Sequence, residues 1–433
     1  MKSDVLVIGA GASGLMAAYS AARSAVDAGV DVSVTILEKM PRPGRKIMIT
    51  GKGRCNFTNV KPWNEFSAHI RTNPNFVKSS FHCLPGEAVV DFFEKVGMRT
   101  VVERGDRAFP ASYHASEVVD TLVRACHGVG VKIETGCEVQ DVERTESGFS
   151  VGCADGRKFT SRFLVVATGG LSYPSTGSTG DGYRWASGLG HSIEATFPSL
   201  TALVPQGYKT VEGGGLHIHR DTPLSSWGEK LCGVQLKNVQ AELLVEGTVA
   251  GCEFGDLDFT DGGIEGPIGF QLSRKAVKSL INGSRVTLVL DLKAGVDENE
   301  FLNRVRTLWK ENAGLRFILG KLLPRELVPA FCESFPKIKS AEALASALRA
   351  WKFPISGYVG YERAVVTAGG VSTSEVMSKT MESKLVPGLY FCGEVLDMDS
   401  DTGGYNLQTA FCTGALAGRS ILLKSQSLTL KTI

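Results

Sequence analysis

The segment Val7-Ile8-Gly9-Ala10-Gly11-Ala12-Ser13-Gly14 sets a G-x-G-x-x-G turn between an apolar run, Asp4 to Ile8, and an alanine-rich stretch. No other feature restricts the fold as much. Gly9 permits the tight turn out of a strand, Gly11 lets the backbone approach a pyrophosphate, and Gly14 lets the next helix pack on the strand. Ala12 and Ser13 open that helix, whose unpaired N–H groups and positive dipole end suit phosphate. A helix from Ser13 towards Ala28 and a strand from Asp31 to Glu38 complete a βαβ unit on a parallel sheet. Glu38 ends that strand, where a carboxylate accepts hydrogen bonds from an adenosine ribose.

The rest of the chain divides by texture. Helical patterns near Asn75 to Phe81, Gly86 to Val96 and Ala115 to His127 precede strands at Val131 to Thr135, Val139 to Thr145, Gly148 to Ala154 and Phe163 to Ala167. The expected fold class is α/β: a discontinuous Rossmann-like dinucleotide-binding domain with an inserted β-rich domain and a helical subdomain. The first part of the dinucleotide-binding domain takes residues 1–196. Short β-like pieces and a helix near Phe270 to Leu280 fill 197–296. Amphipathic helices carrying Leu302, Val305, Leu308 and Trp309 fill 297–355, and 356–433 return to the first domain. There Gly388 to Cys392 reads as a strand and Asn406 to Leu422 as a helix.

Charge and cysteine usage remove other classes. Forty-seven basic and forty-five acidic residues leave +2, which excludes a strongly basic nucleic-acid protein, so no DNA partner is expected. Ten cysteines stand singly with no CxxC, which suggests neither a disulfide framework nor a zinc site and fits reduced thiols in a cytoplasm. The uncharged run Val5 to Ala22 is broken by its glycines and reads as strand, turn and helix rather than a membrane span.

Two further turns fall on the same sheet. Leu164 to Ala167 leads into Thr168-Gly169-Gly170, and Gly388 to Cys392 leads into Gly393-Glu394, followed by Gly403 to Gln408 opening a helix. A carboxylate at Glu394 suits ribityl hydroxyls, and the start of the Asn406-Leu407 helix can stabilise negative charge at the pyrimidine edge of a reduced isoalloxazine. Together these turns point to FAD rather than NAD.

Three strings carry a specific resemblance: Gly44-Arg-Lys-Ile-Met-Ile-Thr-Gly-Lys-Gly-Arg-Cys-Asn-Phe-Thr-Asn59, Ala167-Thr-Gly-Gly-Leu-Ser-Tyr-Pro-Ser-Thr-Gly-Ser-Thr-Gly-Asp-Gly182 and Thr380-Met-Glu-Ser-Lys-Leu-Val-Pro-Gly-Leu-Tyr-Phe-Cys-Gly-Glu-Val-Leu-Asp397. With Gly403 to Gln408 the chain resembles, nearly end to end, the BaiN/YhiN-like bacterial flavoproteins, NAD(P)/FAD-dependent oxidoreductases of the two-dinucleotide-binding type. The resemblance implies that the discontinuous Rossmann-like domain is FAD-binding, with an FAD site that takes in Lys39, Arg45, Lys46, Gly53, Arg54, Cys55, Asn56 and Val139 besides the turns above. It implies hydride passage through flavin N5, with members linked to reduction of a conjugated C=C in steroid-like intermediates, reduction of uridine in ribosomal RNA, and amine oxidation. Two departures stand out: an extended first crossover helix around Ser24 to Gly29, and Glu265 where members commonly carry Ser.

Several residues keep two readings. Cys55 is either a proton donor beside the flavin or a small buried filler. The basic residues Lys39, Arg42, Arg45, Lys46, Lys52 and Arg54 form a solvated loop, neutralise the FAD pyrophosphate, or bind phosphates of RNA or NADPH. His217 and His219 suit metal by spacing but lack a third ligand, so an exposed mobile loop is the expectation; His114 is expected at the surface, ahead of a helix capped by Ser116. Asp397, Asp399 and Asp401 belong to a flavin-proximal loop by the resemblance, and no metal is assigned. Between Phe197 and Ile355 only Gly213-Gly214-Gly215 and Gly262-Gly263 cluster, neither framed as strand, turn and helix, so NAD(P)H is expected as a transient reductant without a Rossmann domain of its own. The leading function is reduction of an electron-poor C=C or C=N bond in a small molecule or ribosomal RNA. Oxidation of a small amine by O2 and an FAD-containing RNA-binding or assembly protein are the alternatives.

Overall fold

The computed structural model describes residues 1–210, 215–311 and 314–429, with side chains to residue 424. The chain forms two compact units, one from 1–196 with 366–433 and one from 197–365.

In the first unit the opening strand, Lys2–Ile8, lies between Val34–Glu38 and Lys158–Val166, parallel to both, with Ile8 level with Leu37 and with Val166. Val5 to Ile8 are buried throughout, as in a parallel strand covered on both faces. Lys132–Thr135 extends the sheet beyond Val34–Glu38, and Leu389–Phe391 joins the end of Lys158–Val166. Val139–Thr145 and Gly148–Cys153 continue it as an antiparallel meander. This is the Rossmann-type α/β fold expected, built from both ends of the sequence.

The first helix, Ala12–Asp27, packs along the last, Tyr405–Thr429, through small residues. A Cβ on Gly414 would strike the Ser13 carbonyl oxygen, and one on Gly418 the Ala17 carbonyl oxygen. Neither glycine was prominent in the sequence pattern. Nor was the three-stranded sheet of Thr58–Asn59, Arg107–Pro110 and Thr100–Glu103 that carries the end of the basic loop.

In the second unit, Leu203–Pro205, Gly263–Glu265, Thr248–Thr260, Gln235–Val245, Val286–Asp291 and Trp351–Tyr358 close a barrel in that order. The expected helix near 270–280 runs from Gly266 to Ile281. Phe331, on a helix of the 297–355 stretch, stacks edge-on against Trp351 at 5.1 Å, and Trp351 meets Phe353 at 4.8 Å. Barrel and helices therefore share one apolar core. Gly213 and Gly214 lie outside the described residues.

Candidate functional site

The three glycines of the first turn answer to different neighbours. Gly9 has φ +102°, and a Cβ there would lie 2.5 Å from the Ala167 carbonyl oxygen. A Cβ on Gly14 would run into the Gly9 carbonyl oxygen. Gly11 is extended, with φ −80°, and a Cβ there would meet nothing within 4 Å. Packing thus requires Gly9 and Gly14, whereas the open face of Gly11 is the space a pyrophosphate would use.

Glu38 is 9% exposed, and its carboxylate accepts the Ala10 N–H at 2.7 Å and the Met40 N–H at 2.8 Å. Burial pushes its pKa up, against the lowering effect of those two donors. Besides any ribose, Glu38 ties the glycine turn to the start of the basic loop. Val139 is buried at the start of its strand, two residues past Cys137, whose N–H bonds the Glu38 carbonyl oxygen at 2.9 Å.

At the other end, the three diagnostic strings converge. Lys46 Nζ lies 2.6 Å from Glu394 Oε2 and also bonds Ser172, while Glu394 Oε1 accepts the Ser172 hydroxyl at 2.6 Å and the Thr367 N–H at 2.8 Å. Thr168 begins this turn; Gly169 has φ +73°, and a Cβ on Gly170 would lie 2.5 Å from Thr367 Oγ1. Gly393, with φ +76°, presses on Ser13 and donates its N–H to Thr413 Oγ1 at 3.0 Å. Gly404, with φ +92°, presses on the Thr58 carbonyl at the start of the last helix, and the place its Cβ would take is 2.8 Å from Asn56 Oδ1. That oxygen is buried and accepts no hydrogen bond from the described residues. A buried acceptor without a donor is costly, so Asn56 suits a ligand N–H.

Cys55 is fully buried with φ +54°, and burial pushes its thiol up to about 12. Such a thiol stays protonated and would leave an unsolvated thiolate on giving up its proton, so the structure favours the filler reading over proton donor. The basic run contains no acid, yet three of its members find acids elsewhere: Lys39 bonds Asp181 at 2.7 Å, Lys46 bonds Glu394, and Arg54 bonds Glu103 at 2.8 Å. Arg54 also lies over Phe109 at 4.8 Å and Tyr113 at 4.6 Å, so it secures the loop at whose bend Gly53 sits with φ +87°. Arg42, Arg45 and Lys52 are exposed.

The aspartates after Glu394 are tied to residues 69–73. Asp401, whose side chain is 3% exposed, accepts Arg71 Nε and Nη2 at 2.5 Å each and lies 3.0 Å from His69 Nδ1. Asp399 accepts the Thr72 hydroxyl and Asp397 an Asn73 N–H. His69 stacks on Tyr405, the residue after Gly404, at 4.2 Å and 17°. Sequence reasoning missed His69 and Arg71, since no local spacing links them to Asp401. Asn406, expected at the flavin, bonds the Ser400 N–H at 2.9 Å and the carbonyls of Ser400 and Asp401, so its side chain shapes this loop. Leu407 is partly buried against the apolar core.

Other expectations change. The helix after His114 starts at Ala115, so Ser116 lies within its first turn and is not the cap; Ser112 bonds Glu117 instead. His217 lies 3.2 Å from Glu362, and among the described residues no group of three His, Cys, Asp or Glu side chains is placed to hold a metal. Glu265 is buried and paired with Arg363, which also holds Asp261 at 2.7 Å. The departure at Glu265 therefore comes with its own cation.

Comparison with known proteins places this site in context. The model of the family described as HI0933-like protein Rossmann domain matches residues 3–420. A 3-dehydro-bile acid delta(4,6)-reductase of Clostridium scindens is 33% identical, over 96% of this chain and 98% of its own. A ribosomal RNA dihydrouridine synthase of Escherichia coli is 32% identical, over 98% of this chain and 100% of its own. Among solved structures, a flavocytochrome c3 fumarate reductase in an open conformation shares the fold, with a TM-score of 0.50 at 15% identity, over 97% of this chain and 78% of that one. Among the described residues no helix is long and apolar enough to cross a membrane.

Proposed function

The chain belongs to the HI0933-like Rossmann-domain family, whose members are FAD-dependent oxidoreductases, and from that premise we propose that it reduces a C=C bond conjugated to a carbonyl, with NAD(P)H as transient reductant. Both relatives act on that bond type: a bile-acid Δ4,6 system is a conjugated alkene, and dihydrouridine differs from uridine by hydrogen added across a C=C beside a carbonyl. FAD, when bound, supplies hydride transfer. The observation that carries the reading is the presence of an open glycine face at Gly11 and of a buried Asn56 Oδ1 without a partner among the described residues, which suit a dinucleotide's phosphates and a polar ring edge.

The chain's own residues then have separate tasks. Gly11, Ala12, Ser13 and the first helix receive the pyrophosphate; Glu38 and Val139 border the adenosine; Lys46, Glu394, Thr168, Gly169, Gly170 and Gly393 frame the ribityl region. The start of the last helix offers its positive end to the pyrimidine edge. Hydride addition to the β carbon leaves charge on the carbonyl side, so a proton must reach the α carbon. We assign that proton to His69, whose Nδ1 is held by Asp401, in place of Cys55. Anaerobic stopped-flow reduction by NADPH and NADH, then reoxidation by a steroid enone, tests the reading. Dihydrouridine content of ribosomal RNA in a deletion strain and its parent distinguishes the RNA substrate from the small molecule. Reduction of the flavin by amines and not by NAD(P)H would overturn it.

A further inference from the structure

Cys137 and Cys153 approach to 3.0 Å between sulfurs, and both are buried, at 1% and 7% exposure. Their separation is about 1 Å more than a disulfide bond length. The cause is the strand register: Cys153 ends the strand Gly148–Cys153 opposite Val139, and Cys137 lies two residues before Val139, so the thiols are diagonal neighbours on one face of a hairpin. The backbone is fixed on both sides. The Cys137 N–H bonds the Glu38 carbonyl oxygen at 2.9 Å, the Ala154 N–H bonds the Glu138 carbonyl oxygen at 2.8 Å, and the Cys153 N–H bonds the Arg157 carbonyl oxygen at 2.9 Å. Arg157 crosses the same corner, donating to the Gly136 carbonyl oxygen at 3.2 Å and pairing with Glu134 and Asp155.

We propose that Cys137 and Cys153 form a redox modification site, closed to a reversible disulfide by oxidants of the peroxide class. Cys153 is the more exposed and reacts first: its sulfur attacks peroxide, the O–O bond breaks, and a sulfenic acid and one water result. The Cys137 sulfur then displaces the sulfenic oxygen as a second water. Two S–H bonds are lost, one S–S bond forms, and two electrons and two protons pass to the peroxide. The other thiols act as internal controls, above all Cys252, which is exposed and belongs to the other unit.

The test treats the purified full chain with hydrogen peroxide, quenches it, and alkylates under denaturing conditions. The expected result is a fall from ten free thiols to eight, a mass loss of two hydrogens, a tryptic cross-link joining Cys137 to Cys153, and recovery of ten with dithiothreitol. In Cys137→Ser, dimedone should label Cys153 as a trapped sulfenic acid. Peroxide that adds oxygen at Cys252 while Cys137 and Cys153 both remain alkylatable would overturn the proposal. So would irreversible oxidation of both to sulfinic acids. These readouts do not depend on FAD or turnover, so their failure leaves the reductase reading standing.

Discussion

Gly393 lies against Ser13 so closely that a Cβ on the glycine would strike the serine hydroxyl. This contact joins the turn after one of the last strands to the first turn of the first helix. Gly393→Ala meets the clash and also has to hold φ +76°, which costs about 1–3 kcal/mol for a residue with a side chain. The variant should lose most bound FAD and melt several degrees lower, measured by absorbance at the flavin band and by calorimetry.

Gly11 and Gly14 separate ligand binding from folding. Gly11→Val places its side chain in open space, so thermal stability without FAD should hold while FAD retention is abolished. Gly14→Val drives a side chain into the Gly9 carbonyl and should destabilise the protein itself, by about 2–4 kcal/mol on the scale of core overpacking and strain. Equal loss of stability in both variants would contradict the cradle at Gly11.

Asn56→Ala removes a buried acceptor that no described residue satisfies. Without FAD the variant should be as stable as the parent or more so, by up to about 1 kcal/mol. FAD affinity should fall roughly tenfold, as measured by flavin fluorescence on dilution.

Proton delivery divides Cys55 from His69. Cys55→Ser should keep flavin reduction by NAD(P)H and most of the turnover, because a thiol held near 12 is a poor acid. His69→Gln should keep flavin reduction and slow flavin reoxidation by the enone by about 10²-fold, without slowing reoxidation by ferricyanide, which takes no proton.

Acid should release FAD before it unfolds the protein. Burial raises the Glu38 pKa above 4.5, so on acidification the folded state takes up this proton before the unfolded chain does. Glu38 alone therefore makes the fold more stable as pH falls through the carboxylate range, and that contribution is lost as pH rises through the raised pKa. FAD affinity changes in the opposite sense, because the protonated carboxyl is a weaker acceptor for ribose hydroxyls. Parallel titrations from about pH 7 to about pH 4 should show flavin fluorescence rising ahead of any loss of circular dichroism. Glu38→Gln should abolish that pH dependence.

The parts legible in the sequence were those whose partners lie close along the chain. The βαβ unit and the Val139–Thr145 strand follow local periodicity and are found where expected. The barrel closes through pairs such as Leu203 with Tyr358, for which no local pattern gives the register. The site divides in the same way: Gly9, Gly11 and Gly14 announce themselves by spacing, whereas Lys46 reaches Glu394 across 348 residues and Arg71 reaches Asp401 across 330. Within the basic run, Lys39, Lys46 and Arg54 therefore meet their carboxylates only in the fold, while Arg42, Arg45 and Lys52 stay exposed.

The strand Leu389–Phe391 and the helix Tyr405–Thr429 have a consequence for biogenesis. Once residue 365 has left the ribosome, every residue of the second unit is available but not every residue of the first. The barrel can mature while the nascent Rossmann sheet still exposes the flank of Lys158–Val166 and the small-residue face of the first helix. Those surfaces await strand and helix partners translated after the barrel, and apolar surface left open in such an interval is prone to aggregation. The candidate site, which draws on Gly393 and Glu394, is therefore complete only after the residues of the barrel have been made.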